Sequence, residues 1–252
     1  MRRFITFCLL GLIVIAGYVI LSRPATPVTL VGAKAFAVSG QPGMYMVTLT
    51  IENAGAADEL LAVMSPKADM VMLVNPHHSD HRVVVPGQGR GILAMDGAHV
   101  MLRMDGFAQG SFIPLTLTFE NAGQVSTRLQ NAGENEMSHN PSTGASALPA
   151  PQVSLHAIDA PDTDGFALRI AVENFTFHRA AEDAAHLTGQ GHGHLYLNGL
   201  KLGRIYEPSF TIGSLPVGSH VLEIVLNTND HRPYLDDGGV PVAARLALEL
   251  SD

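Results

Sequence analysis

The stretch YMVTLTIEN (residues 45–53) decides the fold class. Tyr45, Val47, Leu49 and Ile51 alternate with Met46, Thr48, Thr50 and Glu52. A two-residue period places one set on a buried sheet face and the other toward solvent, which predicts a strand. Outward along the chain the same signal recurs in HRVVVPG, RGILAM, AHVMLRM and IPLTLTFENAG, each short and bounded by Gly, Pro, Asn or Asp. No helical period of several turns interrupts them. A second series begins with FALRIAVENF (166–175) and continues through HLYLNG, GSHVLEIVL and PVAARLALEL. Between the series lies NAGENEMSHNPSTGASALPAPQ (131–152), which has no apolar period and reads as a linker. The expectation is an all-β chain of two β-sandwich domains, over 33–130 and 153–252, the second Ig-like.

The first residues differ from everything after them. Arg2 and Arg3 precede an uncharged apolar run over residues 4–22. At about 1.5 Å per helical residue the run spans roughly 28 Å, the hydrocarbon thickness of a bilayer. Residues 1–23 are therefore expected to form a transmembrane anchor in the inner membrane, left uncleaved, with a cleaved secretory signal as the alternative. The paired arginines hold the N-terminus inside and leave the rest in the periplasm. The single cysteine, Cys8, lies within this run, so the exported part has neither thiol nor disulfide. A net charge of −8 without a basic stripe argues against nucleic acid.

The opposite segregation of sulfur and imidazole is the next clue. Apart from Met1, eight of the remaining nine methionines fall between Met44 and Met104, and the ninth is Met137. Of the twelve histidines, seven lie beyond residue 153, where there is no methionine. Methionine fills cores readily, so Met46, Met64, Met70, Met72 and Met95 are expected to pack inside. In GAHVMLRM (97–104), however, His99 and Met101 share one strand face, roughly 6.5 to 7 Å apart along the strand. An imidazole nitrogen and a thioether sulfur so placed can close on one soft ion. In PHHSDHR (76–82), His77, His78 and His81 crowd one loop and could join them.

The succession GMYMVTLT, ADELLAVMSPKADMVML, a Pro-Gly turn, MDGAHVMLRMDG and GSFIPLTLTFENAGQV resembles the PCu(A)C family of periplasmic copper chaperones over about residues 33–130. The resemblance implies a cupredoxin-like β-sandwich that binds Cu(I) through His and Met. The family motif ends in His-x-Met, which falls on His99 and Met101. Its middle methionine corresponds by spacing to His77, and its first ligand position to Val74. His78, His81, Met72 and Met44 are the candidates for the vacant place. The resemblance further implies delivery to an acceptor cuproprotein such as a haem-copper oxidase subunit, with a Sco-type protein as a second kind of partner.

The second series carries GQGHGHLYLNG (189–199), where His192 and His194 share a face with Tyr196 and Asn198. LPVGSHVLEIVL adds His220, and NTNDHRPY adds His231 at a turn. The run resembles a family of extracytoplasmic β-sandwich domains of undefined function. Four histidines at strand ends, without sulfur, suit Cu(II) or Zn(II) better than Cu(I). Two other readings stand beside the chaperone: a copper- or zinc-dependent redox enzyme using these histidines, and an interaction module in which they only hold loops together. The sequence has no phosphate-binding glycine loop, no Gly-x-Ser-x-Gly and no His-Glu-x-x-His. Catalytic function is therefore not expected.

Overall fold

The computed structural model describes residues 26–76, 82–134, 144–181 and 185–251. Among these every regular element is a strand, so the all-β expectation holds. The proposed anchor over 1–23 lies outside the described residues, among which no helix is long and apolar enough to cross a membrane.

The first half of the chain contributes β1 (Val28–Ala37), β2 (Met44–Asn53), β3 (Asp58–Met64), β4 (Met70–Val74), β5 (Val83–Val85), β6 (Gly89–Leu93), β7 (His99–Arg103), β8 (Phe112–Phe119) and β9 (Gly123–Glu134). The second half contributes β10 (Ala145–Ser146), β11 (Gln152–Ala157), β12 (Phe166–Glu173), β13 (Thr176–Phe177), β14 (Gln190–Leu197) and β15 (Leu200–Ile205). It closes with β16 (Ser209–Ile212), β17 (Gly218–Asn227), β18 (Tyr234–Leu235) and β19 (Ala243–Leu250).

In the first half the strands run in the order β6, β2, β1, β9, β8, β3, β5, with β7 also paired to β2 and β4 paired to β7. Among the described residues only the β1–β9 pairing is parallel there. The alternation that predicted β2 is realised, for Val47, Leu49 and Ile51 are buried. They meet Val100 and Leu102 from β7 and Leu115 and Leu117 from β8 in one core. In the second half β17 lies between β14 and β19, and β11, β12 and β16 form a separate sheet.

The two halves are joined by backbone as well as by apolar contact. Lys201 in β15 pairs with Ile92 in β6, and the Ala98 amide donates to the Gly199 carbonyl at 2.9 Å. Asn75 Nδ2 donates to the Asn198 carbonyl at 2.9 Å. The tip of the β14–β15 hairpin is thus held against the start of β7. Gly91 is required here, because a Cβ at that position would lie 2.3 Å from Leu200 Cδ2.

Asp58 closes the far end of the first half. Its Oδ1 accepts from the amides of Glu59 at 2.8 Å and Asn121 at 2.9 Å, and its Oδ2 accepts from the Ala122 amide at 2.8 Å. Replacement by alanine orphans three amides beside a buried position. Asp58→Ala is expected to cost about 2 kcal/mol. In a thermal melt the midpoint should fall by about 4–8 °C.

Candidate functional site

Register across β2, β7 and β4 assembles the first site. Met101 in β7 stands opposite Met46 in β2 on one side and Met72 in β4 on the other. One step along, Arg103 is flanked by Met44 and Met70 in the same way. One step back, His99 faces Val74. The intervening residues Val47, Val100 and Leu102 point to the core and are fully buried. Their neighbours therefore form an outward face carrying five thioethers and one imidazole. Facing residues on adjacent strands sit about 5 Å apart at Cβ, within the reach of flexible methionine side chains.

This outward placement corrects the expectation that the methionines pack inside. Met72 is 47 % exposed and Met70 40 %, and Met64 and Met95 are exposed as well. Met46 and Met101 are half-buried between their neighbours. Thioether side chains cover the sheet without demanding hydrogen bonds.

His99 is held in one tautomer. Its Nδ1 lies 2.9 Å from the Gly97 carbonyl. A carbonyl only accepts, so Nδ1 carries the proton and the Nε2 lone pair is left for an ion. Val74 occupies the place opposite it and offers no donor. His77, His78 and His81 lie outside the described residues.

The second cluster is built on β14, whose two faces are both buried. Gly193, Leu195 and Leu197 turn toward β17, with a Cβ at Gly193 only 2.6 Å from Ile224 Cδ1. His192, His194, Tyr196 and Asn198 form the other face, and each is less than a tenth exposed. Burying so many polar groups requires partners. His192 Nε2 and His194 Nε2 are 3.0 Å apart. The third imidazole, His231, comes from the turn after β17, its ring centroid 4.9 Å from that of His192 and 5.8 Å from that of His194. One nitrogen from each of the three lies within 4.8 Å of the others.

His220 is placed elsewhere and is fully engaged. Its Nε2 donates to the Pro216 carbonyl at 2.8 Å, and its Nδ1 accepts from Asn198 Nδ2 at 3.1 Å. It braces the β14–β15 hairpin and has no nitrogen left for an ion.

Asp96, in the β6–β7 turn, reaches across from the first half. His194 Nδ1 donates to its Oδ2 at 2.9 Å, Tyr196 Oη at 2.9 Å and Lys201 Nζ at 2.6 Å. Burial alone would raise the Asp96 carboxyl. The His194 hydrogen bond and the Lys201 charge outweigh it and hold the carboxyl well below the usual range, although 40 % of the side chain reaches solvent. Burial also pushes His192 down to about 2, and the repulsion that protonated neighbours, Arg204 and Lys201 would exert on an imidazolium adds to it. His194 is lowered by burial despite the Asp96 bond. Both imidazoles are therefore neutral, and the ion pair at this spot is Lys201 with Asp96. Tyr206 packs on His192 with ring centroids 5.5 Å apart, and the Arg179 guanidinium lies 4.3 Å from the Tyr206 ring centre. A groove of about 500 Å³ at the junction of the halves, lined by Glu52, Gln88, Arg90 and Phe210 among others, contains no histidine or methionine.

The sequence had singled out His99, Met101, His192, His194 and His231. It missed Met46 as a member of the outward face, it missed Asp96 and Lys201, and it placed Tyr196 on the histidine face without its bond to Asp96. A signal for Asp96 was its position three residues before His99, but its partner lies 98 residues away.

Comparison with known proteins places part of the chain. A search of curated proteins found no match. Solved structures similar to this chain include the apo PCuAC domain from PmoF1, at 21% identity, covering 44% of this chain and 98% of that one, with a TM-score of 0.39. The solution structure of apo-DR1885 from Deinococcus radiodurans is 24% identical, covering 45% and 83%, with a TM-score of 0.36. The copper-bound PCuAC domain from PmoF2 is 19% identical, covering 44% and 97%, with a TM-score of 0.39. Residues 28–130, which hold the methionine face and His99, match the LpqE-like lipoprotein family, and the match ends before the three-histidine half begins.

Proposed function

We propose that this protein is an extracytoplasmic copper chaperone that takes up Cu(I) on the outward face of β2, β7 and β4 and passes it to an acceptor cuproprotein. The observation that carries this reading is the row Met46, Met101 and Met72 with His99 on the same face. Neutral thioethers are soft donors that favour Cu(I), and unlike thiols they cannot be locked into disulfides in an oxidising compartment. Ligands on an outward sheet face, half-buried at Met46, His99 and Met101 and exposed at Met72, can be exchanged one at a time with those of an incoming acceptor. The LpqE-like match supports an extracytoplasmic setting. The domain division at 131–152, the membrane anchor over 1–23 and an oxidase subunit or Sco-type protein as acceptor complete the proposal.

The test is a Cu(I) titration of the full chain against a chromophoric chelator. One tightly held equivalent is expected. His99→Ala removes the oriented Nε2 and should weaken that equivalent by roughly tenfold, about 1.4 kcal/mol. An affinity unchanged by His99→Ala would sink the assignment of His99, and absence of Cu(I) binding would sink the chaperone reading.

A further inference from the structure

The three-histidine cluster supports a second site of different chemistry. His194 Nδ1 donates its proton to Asp96, so His194 Nε2 carries a lone pair. That lone pair faces His192 Nε2 at 3.0 Å. Two imidazole nitrogens at that distance share either a proton or a cation, and Lys201 Nζ stands 3.3 Å from His194 Nε2 beside them. A proton bridge needs two histidines, and here there is a third. His231 is delivered from another segment on a left-handed backbone, φ +65°, which is uncommon for residues other than glycine. The turn that holds it is fixed by the Thr228 hydroxyl, which donates to the Asp230 carboxylate and accepts from the Arg232 amide at 3.0 Å, and by the His231 amide, which donates to the Thr228 carbonyl at 3.0 Å. Three converging nitrogens are the donor set of a cation rather than of a shared proton.

We propose that His192, His194 and His231 bind one divalent transition ion, Zn(II) or Cu(II), with Asp96 from the other half of the chain as the positioning residue for His194. Three imidazoles and no sulfur select a borderline divalent ion over Cu(I), with the fourth position left to water. A carboxylate on the far nitrogen of a ligating histidine fixes its tautomer and orientation and raises its basicity. Lys201 Nζ, 2.6 Å from Asp96 Oδ2, balances the carboxylate charge beside the site. His231 is half-buried while His192 and His194 are buried, so the ion enters from the His231 side. The site goes beyond the Cu(I) face: it uses none of those ligands, and it is complete only when the two halves are docked.

The experiment titrates the metal-free full chain with Zn(II), and separately with Cu(II), against a chromophoric chelator. One equivalent of at least one ion should be held, with nitrogen hyperfine structure in the Cu(II) spin-resonance spectrum. His231→Asn is the key variant, because asparagine accepts the left-handed backbone and removes only the imidazole. It should weaken binding at least tenfold, and Asp96→Asn should weaken it by about 10- to 100-fold. The metal-free thermal midpoint of each variant reads any structural damage separately. His99→Ala should leave this equivalent intact while weakening the Cu(I) equivalent, so failure of one site is distinguishable from failure of the other. Absence of a stoichiometric equivalent of either ion overturns the site, as does binding that His231→Asn leaves unchanged. Wild-type affinity in Asp96→Asn overturns the role given to the carboxylate.

Discussion

Met101→Ile is expected to lower Cu(I) affinity by roughly a hundredfold, about 2.7 kcal/mol, while the fold is retained. Met101 is the only thioether of the row with a methionine on both sides, Met46 across one strand gap and Met72 across the other. Removing it takes away one donor and separates the remaining two by two strand spacings, roughly 10 Å. Met46→Ile and Met72→Ile remove an end donor and leave an adjacent pair, so each should cost only about tenfold. Isoleucine suits a half-buried strand position, which separates lost ligation from lost structure. Met64→Ile supplies the control, since Met64 is 54 % exposed and pairs with Thr116 on β3–β8, away from the face. Competition titration of the four variants reads the whole series. Equal losses at Met101 and Met64 would refute the row as the ligand set.

The strands were legible because alternation is local. The period over residues 45–53 named the buried side chains of β2 before any partner was known, and the same logic put His192 and His194 on one face. Cross-strand register is not local. Met46, Met72 and Met101 meet only because β7 enters between β2 and β4, and no pattern within any one strand records that. Hydrophobicity misdirected the reading of Met64, Met70, Met72 and Met95, since a thioether contributes to an apolar period equally on either face of a sheet. His220 and His231 both stood among the candidate ligands in sequence. Hydrogen bonds to Pro216 and Asn198 occupy one, and a left-handed turn delivers the other to the cluster. Asp96 was invisible for the same reason as the methionine row: its partners are on the other half of the chain.

Docking of the halves also rests on two backbones in near contact, and Gly213→Ala should break it. Gly213 follows β16, and a Cβ there would lie 1.7 Å from the Gly87 carbonyl oxygen and 2.9 Å from its carbon. Neither atom belongs to a side chain that could rotate aside. Gly87 is itself pinned, its amide donating to the Ser214 carbonyl at 2.9 Å, and a Cβ on it would lie 2.7 Å from the Ala57 nitrogen. The methyl must therefore push the β5–β6 turn off the second half and break that hydrogen bond. Overpacking of this kind costs about 3 kcal/mol, so the thermal midpoint should drop by about 6–12 °C. Gly106→Ala isolates the other glycine effect, because Gly106 has φ +68° with open space around it. Left-handed strain alone costs about 1–2 kcal/mol there. The steric term should therefore exceed the conformational one, and equal midpoints for the two variants would show that the halves do not depend on this contact. If they do depend on it, Gly213→Ala should also weaken the Zn(II) or Cu(II) equivalent, since Asp96 reaches His194 only across the same junction, whereas the Cu(I) face, built wholly from β2, β4 and β7, should keep its affinity.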